Sequence, residues 1–402
     1  MAAESKESRL QRASEHVFSM GLGDAAAQMS ALNMTYGLAK MHHVQEMMGD
    51  PPDATFIATP DLTVTRNVER WDAGVGYGGK ITWGDGSRPY SFPDVKPNAC
   101  GMLVGGMNEM PAMEELAHRL HELVAEPAEL DGVTIRWDLG EGNHFIDLMA
   151  VEPVLRDLDL PPYAFVLHFS GSELRGENPL GMGLYWHDSP DLERRCRTVD
   201  TPWGPIHVLD GDDTLAWWEF FQLAADFTRR RRLMVADRIF GCCEGYQVIA
   251  NLHHQGLTGP NSVLLGCQDT SGGGLVPIML RESTPGYLFR ALPNLAEDVI
   301  DVLGWRERAE RHGVLDQIRN ANVIPHGAGY MLEGVSRVLG VVELEGQRYF
   351  RVESAEAGVQ ILIGSPRDLV YAYRGRRVIL RAAECRLGEI AARLEPIYVL
   401  KA

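Results

Sequence analysis

Basic charge is what the chain most lacks. Against 55 Asp and Glu stand 38 Lys and Arg, a formal net charge of −17. A protein that coats duplex nucleic acid regardless of sequence is normally basic, because neutralising phosphates supplies its affinity. That class is excluded, whereas a local basic groove on an acidic enzyme is not. No run approaches the roughly 18 apolar residues of a membrane span. The stretch MAAESKESRLQRASEHVF contains no long apolar segment of the secretory kind. The six cysteines, Cys100, Cys196, Cys242, Cys243, Cys267 and Cys385, form no C-x-x-C pair and no disulfide-framework spacing. These absences predict a soluble, cytoplasmic protein with reduced thiols and no membrane partner. Convincing internal repeats and disordered linkers are lacking too.

What is present suffices for a large core. The 402 residues are 45% hydrophobic and include 42 glycines, a turn-rich globular composition. Residues 1–50 read as helical, including ASEHVFSM, and their methionines recur at a spacing that suits core packing. Short apolar runs broken by Gly, Pro and Asp follow over 55–105 and read as strands and tight turns. PAMEELAHRLHELVAE is an amphipathic helix with Met113, Leu116, Leu120 and Leu123 on one face. DDTLAWWEFFQLAADFTRRRRLMVADRIFGCC is the longest helical candidate. Its Arg229–Arg232 run points in four directions about 100° apart, so a solvated surface is the simpler reading and a phosphate-facing arginine the sharper one. From Val338 onward the pattern is mostly β, with RRVILRA read as a strand. The alternation predicts one α+β domain spanning 1–402, a β core flanked by helices.

The chemistry-bearing residues sit at the ends of apolar runs or in glycine turns. His144 lies in GEGNHFID, His168 in FVLHFSGS, His253 and His254 in VIANLHHQG, His326 in NVIPHGAGYMLEGVSR, and Cys100 in KPNACGM. Strand ends and turns present side chains on a rigid frame. One cysteine with several histidines suits a mixed nitrogen and sulfur site for a borderline metal such as zinc or manganese. A histidine that ends a strand is also a common hydrogen-bonded core residue, and a lone cysteine a common small hydrophobe. Spacing alone leaves both readings open.

The order of these motifs resembles the RtcB family of RNA-splicing ligases, from about Pro60 to Lys401. ATPD, GVGYGGKITWGDG and PNACGM resemble its opening segments. LGEGNHFIDL resembles its G-x-G-N-H-F-x-E, VLHFSGSELRG its H-S-G-S-R-G, ADFTRRRR its N-Y-A-x-x-N-R, NLHHQG its H-H-N and PHGAGY its H-G-A-G-R. IAARLEPIYVLKA resembles its closing segment. The resemblance implies an α+β fold with a deep metal cleft. It also implies an activity: joining RNA 2′,3′-cyclic phosphate or 3′-phosphate ends to 5′-hydroxyl ends with GTP and manganese. His326 would be the nucleophile that takes GMP. Cys100, His144 and His254 would be metal ligands, with His168 a weaker candidate because Phe169 separates it from the following Ser-Gly-Ser. Asn143, Asp147 and Lys401 would contact the nucleotide.

Departures from the pattern remove groups that would bind phosphate or metal. Pro97 replaces a metal-binding aspartate, which makes a single zinc or iron site an alternative to manganese. GCQDT, Gly266 to Thr270, falls where the family has R-K-G. The small-residue loop I-P-G-S-M-G has become PIMLRESTPGY. Tyr330 and Glu173 stand in place of arginines. A divergent member is expected, acting on RNA ends or on a small nucleotide-like substrate; a scaffold turned to another metal-dependent reaction, or to binding alone, is the alternative.

Overall fold

A computed structural model describes residues 4–140, 142, 144–282 and 284–401. Asn143 therefore lies outside the described residues. The chain folds as the mixed α+β architecture expected, around a seven-stranded antiparallel sheet. Its strands run in the order 247–253, 101–107, 163–169, 145–153, 388–400, 286–291, 275–278. The two edge strands approach each other, so the sheet nearly closes on itself. A five-stranded sheet built from 17–19, 55–63, 77–82, 262–265 and 255–259 stands beside it.

Apolar periodicity places the helices. The helix Asp212–Phe240 lays Val235, Ile239 and Phe240 on one face of the seven-stranded sheet, where Phe240 stacks on Phe165 at 3.8 Å between ring centroids. Leu116, Leu120 and Leu123 of the helix Met113–Ala125 complete that layer, while Met113 faces outward. Gly105 is required in its strand because a Cβ there would sit 2.1 Å from the Phe165 ring. The helix Ala25–Met48 buries Met29, Met34 and Met41, so the methionine spacing is core packing. Asp24 caps its first turn and is itself held by Arg374.

Three expectations from sequence are corrected. Val17–Ser19, in the stretch read as helix, is a strand paired in parallel with the 55–63 strand. Two of its three residues are buried, and pairing satisfies backbone groups that the end of the preceding helix leaves open. RRVILRA is not a strand: Arg377–Glu384 forms a helix with Val378, Ile379 and Ala382 inward and Leu380 exposed. Tertiary packing overrides β propensity there. The Arg229–Arg232 run is only half solvated, because Arg231 and Arg232 are fully buried. Among the described residues no helix is long and apolar enough to cross a membrane. All six cysteines are free.

Candidate metal centre

Antiparallel register brings the candidate ligands together. Strand 101–107 follows Cys100 and pairs with 163–169, setting Met102 opposite His168, and with 247–253, setting Gly101 opposite His253. His254 then hydrogen-bonds through its backbone N–H to the Cys100 carbonyl at 2.9 Å. The turn before Cys100 is tight. Lys96 and Ala99 both take left-handed backbone, and the Asn98 side chain accepts the Cys100 N–H at 3.0 Å.

Cys100 Sγ lies 3.2 Å from His168 Nε2, and that nitrogen lies 3.3 Å from His254 Nε2. All three ligand atoms fall within 4.8 Å of one another, and all three residues are buried. Around a tetrahedral zinc, ligand nitrogens stand about 3.3 Å apart and sulfur about 3.6 Å from nitrogen, given the usual bond lengths. The cluster fits that donor set. Burial alone would raise the Cys100 thiol, but His168 and His254, with hydrogen bonds from His144 and His168, hold it well below its ordinary value. Burial pushes His254 down to about 3. Thiolate and neutral imidazole are the states that a divalent cation requires.

His144 sits on the other side of the sulfur. Its Nδ1 is 3.1 Å from an Asp138 carboxylate oxygen, and it also hydrogen-bonds Cys100. Burial opposes its charge, yet Asp138 and Cys100 raise it to about 10. Asp138 is in turn 2.5 Å from buried Arg231, whose guanidinium also bonds Glu173 at 2.9 Å. Glu173 is thus the counter-charge of a buried arginine. Asn98, the other potential oxygen donor beside Pro97, is engaged on Cys100. A second cation beside His144 would therefore find Cys100 and His144 but no carboxylate in the place of Pro97.

His326 ends the strand Val323–Pro325, at the wall of a cleft of about 110 Å³ that His168 also lines. Its ring lies 4.5 Å from that of His254. Nδ1 donates to Asp61 at 3.0 Å, and the other Asp61 oxygen accepts from Thr59 at 2.6 Å. The carboxylate fixes the tautomer and leaves Nε2 with the free lone pair. Gly329 explains the glycine spacing. It has φ of +62°, and a Cβ there would lie 2.2 Å from the Asp61 carbonyl, so the chain crosses directly over the residue that orients the histidine.

Asp147 and Lys401 do not line the cleft; both stand beside Glu282, which does. Asp147 is buried, and among the described residues neither carboxylate oxygen finds a hydrogen-bond partner. Burial, with Glu282 nearby and only partly offset by Lys401, raises it to about 7. Lys401 is bonded to Glu282 at 2.8 Å. The mouth carries Tyr330 and Tyr373, their rings 5.0 Å apart, with Arg66 over Tyr330. GCQDT does not line the cleft. Its strand Cys267–Asp269 pairs with Val323–Pro325, so it supports the segment that carries His326.

His168, the weaker candidate by spacing, is central here. Strand alternation sends it to the cleft and Phe169 to the opposite core, which resolves the one-residue offset. Sequence reasoning quoted Asp61 within ATPD without giving it a role, and passed over Asp138, six residues before His144. Sequence proximity could have pointed to Asp138, whereas Asp61 lies 265 residues from His326 and only the fold brings them together. No protein-family model matches the chain, and no curated protein matches it in sequence.

Proposed function

We propose that the chain is a metal-dependent nucleotidyl transferase that works through His326, and that its reaction is the joining of RNA 3′-phosphate or 2′,3′-cyclic phosphate ends to 5′-hydroxyl ends. The observation that carries this reading is the position of His326. A histidine with Nδ1 held by a buried carboxylate and Nε2 free stands ring to ring with His254 of a Cys100/His168/His254 donor set. Neutral imidazole attacks phosphorus when the phosphate oxygens are neutralised. A divalent cation held by Cys100, His168 and His254 would supply that neutralisation and Lewis acidity.

In the first step Nε2 of His326 forms a bond to the α-phosphorus of GTP, and the bond to pyrophosphate breaks with pyrophosphate leaving. Asp61 holds the proton on Nδ1 and stabilises the positive charge that develops on the ring. Where the end is a 2′,3′-cyclic phosphate, water first attacks phosphorus and the bond to O2′ breaks, leaving a 3′-phosphate and a 2′-hydroxyl; a 3′-phosphate oxygen then displaces the histidine, and a 5′-hydroxyl oxygen displaces GMP and loses its proton. The unpartnered Asp147 carboxylate suits a ligand edge that donates N–H, as guanine does, and Tyr330 and Tyr373 offer ring faces for stacking.

A second reading is favoured by one observation. The resemblance puts an arginine where Tyr330 stands, Arg66 is held over the Tyr330 and Tyr371 rings, and Lys401 is engaged by Glu282, so Arg281 is left as the cation on the described lining. A substrate poorer in phosphate than an RNA end suits such a cleft. Radiolabelled nucleoside triphosphates with manganese, zinc or iron, resolved on a denaturing gel, test the first step. Expected is an acid-labile label on wild type that His326→Ala lacks, with GTP preferred. Joining of an RNA oligonucleotide pair supports the ligase reading, and labelling without joining supports the second. No label with any nucleotide and any of the three metals would sink nucleotidyl transfer through His326.

A further inference from the structure

A second cavity, of about 790 Å³, shares no lining residue with the cleft. It lies where the helix Ala25–Met48, the loop holding Trp186, the turn Thr201–Pro205 and the turn before Arg348 meet. Its lining includes the cations Lys40, Lys96 and Arg348 and the acids Glu69, Asp72, Asp94 and Asp368. Lys40 is 3% exposed and gives its ammonium hydrogens to the Asp72 and Pro205 carbonyls at 3.2 and 3.3 Å. Arg348 bonds the Trp71 and Asp72 carbonyls through one nitrogen, while Nη1 has no partner. The indole N–H groups of Trp186 and Trp203 also lack acceptors.

Among the described residues neither Lys40 nor Arg348 has a carboxylate within ion-pair distance. The acids nearby are engaged or peripheral. Asp94 is held by the ring and backbone of His207, Glu69 faces Lys96 at 3.4 Å, and Asp72 and Asp368 are exposed. Burial first, and then the Arg348 charge, bring the Lys40 ammonium down to about 8, with Asp94 and Asp72 opposing. Two neighbouring cations without a bonded counter-ion carry a desolvation cost that an anion would relieve. The ring lining defines the rest of the ligand: Trp186 stacks on His207 at 3.8 Å, and Trp203 borders the same space.

We propose that this cavity binds a small organic anion attached to a planar ring, its oxygens on Lys40 and Arg348 and its ring against Trp186 and Trp203. Phosphate and carboxylate share the required chemistry, so both belong in the test. Full-length protein is titrated, with tryptophan fluorescence as the readout, with a nucleoside 5′-monophosphate, the same nucleoside without phosphate, benzoate and inorganic phosphate. At least one ring-bearing anion is expected to saturate, and the nucleoside and inorganic phosphate to bind more weakly. Lys40→Met and Arg348→Met should each weaken the favoured anion about tenfold or more, the loss of one charged hydrogen bond. Trp203→Phe, which keeps an aromatic ring but removes the indole N–H and part of the stacking area, should weaken it less and serves if the charge variants do not fold. His326→Ala should leave it unchanged, whatever happens to nucleotidyl transfer. No saturation by either ring-bearing anion, binding untouched by these cavity variants, or binding lost with His326→Ala would overturn the assignment.

Discussion

Two histidine clusters in this chain look alike in burial and differ in chemistry. In one, His16 lies 4.7 Å from His42 and 4.6 Å from His312 between ring centroids. In the other, His168, His254 and His144 surround Cys100, and His326 stands beside His254. The first cluster is tied to the fold: His16 bonds the Thr55 hydroxyl, His42 the Ala54 carbonyl and His312 the Glu15 carboxylate. Burial, ahead of neighbouring charges, pushes His16 to about 2 and His42 to about 3. The second cluster holds a thiol, and carboxylates orient His144 and His326. Histidine proximity alone therefore does not mark a site. A shared sulfur and a buried carboxylate behind an imidazole do.

The largest expected effect that would break this comparison is at His326. His326→Ala should lower label transfer at least roughly a thousandfold, as loss of a nucleophile does, and should leave bound metal in place. A variant that still labels would move the nucleophile elsewhere. Asp61→Asn should follow, with label transfer down on the order of a hundredfold or more because the wrong tautomer is favoured. Rates equal to wild type would remove Asp61 as the positioning residue. Asp138→Asn, which loosens the His144 hydrogen bond on the Cys100 sulfur, should cost roughly 10-fold in metal affinity, the low end for loss of a supporting partner. Competition with a chelator measures it, and an unchanged affinity would remove His144 as a support of the Cys100 ligand.

The smallest effect sharpens the other side. His16 and His42 have folded pKa values depressed below an unfolded value near 6.5. Their contribution to stability is therefore complete above about pH 6.5 and erodes as pH falls toward 3 and 2. Each contributes a slope of about 1.4 kcal/mol per pH unit across that window. Denaturant unfolding of metal-stripped protein at neutral pH and at mildly acidic pH checks this. His16→Phe should flatten the pH dependence, and an unchanged slope would mean that His16 does not titrate on unfolding.

The α+β character, the long helix and the Cys and His set were legible because apolar period and strand-end position are local signals. Convergence was not, since it depends on register: His168 reached the site through alternation that motif spacing concealed. Arg231 and Glu173 show the same limit. Each read as surface or phosphate chemistry, and they form a buried pair behind Asp138 because a partner distant in sequence supplies the opposite charge. RRVILRA was misread because packing, rather than propensity, determined its helix.

The most direct test is metal content after exhaustive dialysis, measured by elemental analysis of wild type, Cys100→Ala and His16→Phe. Wild type and His16→Phe are expected to retain stoichiometric divalent metal, and Cys100→Ala to lose it. Wild-type protein that carries no metal after supplementation with manganese, zinc or iron, or Cys100→Ala protein that retains it in full, would contradict a metal centre at Cys100.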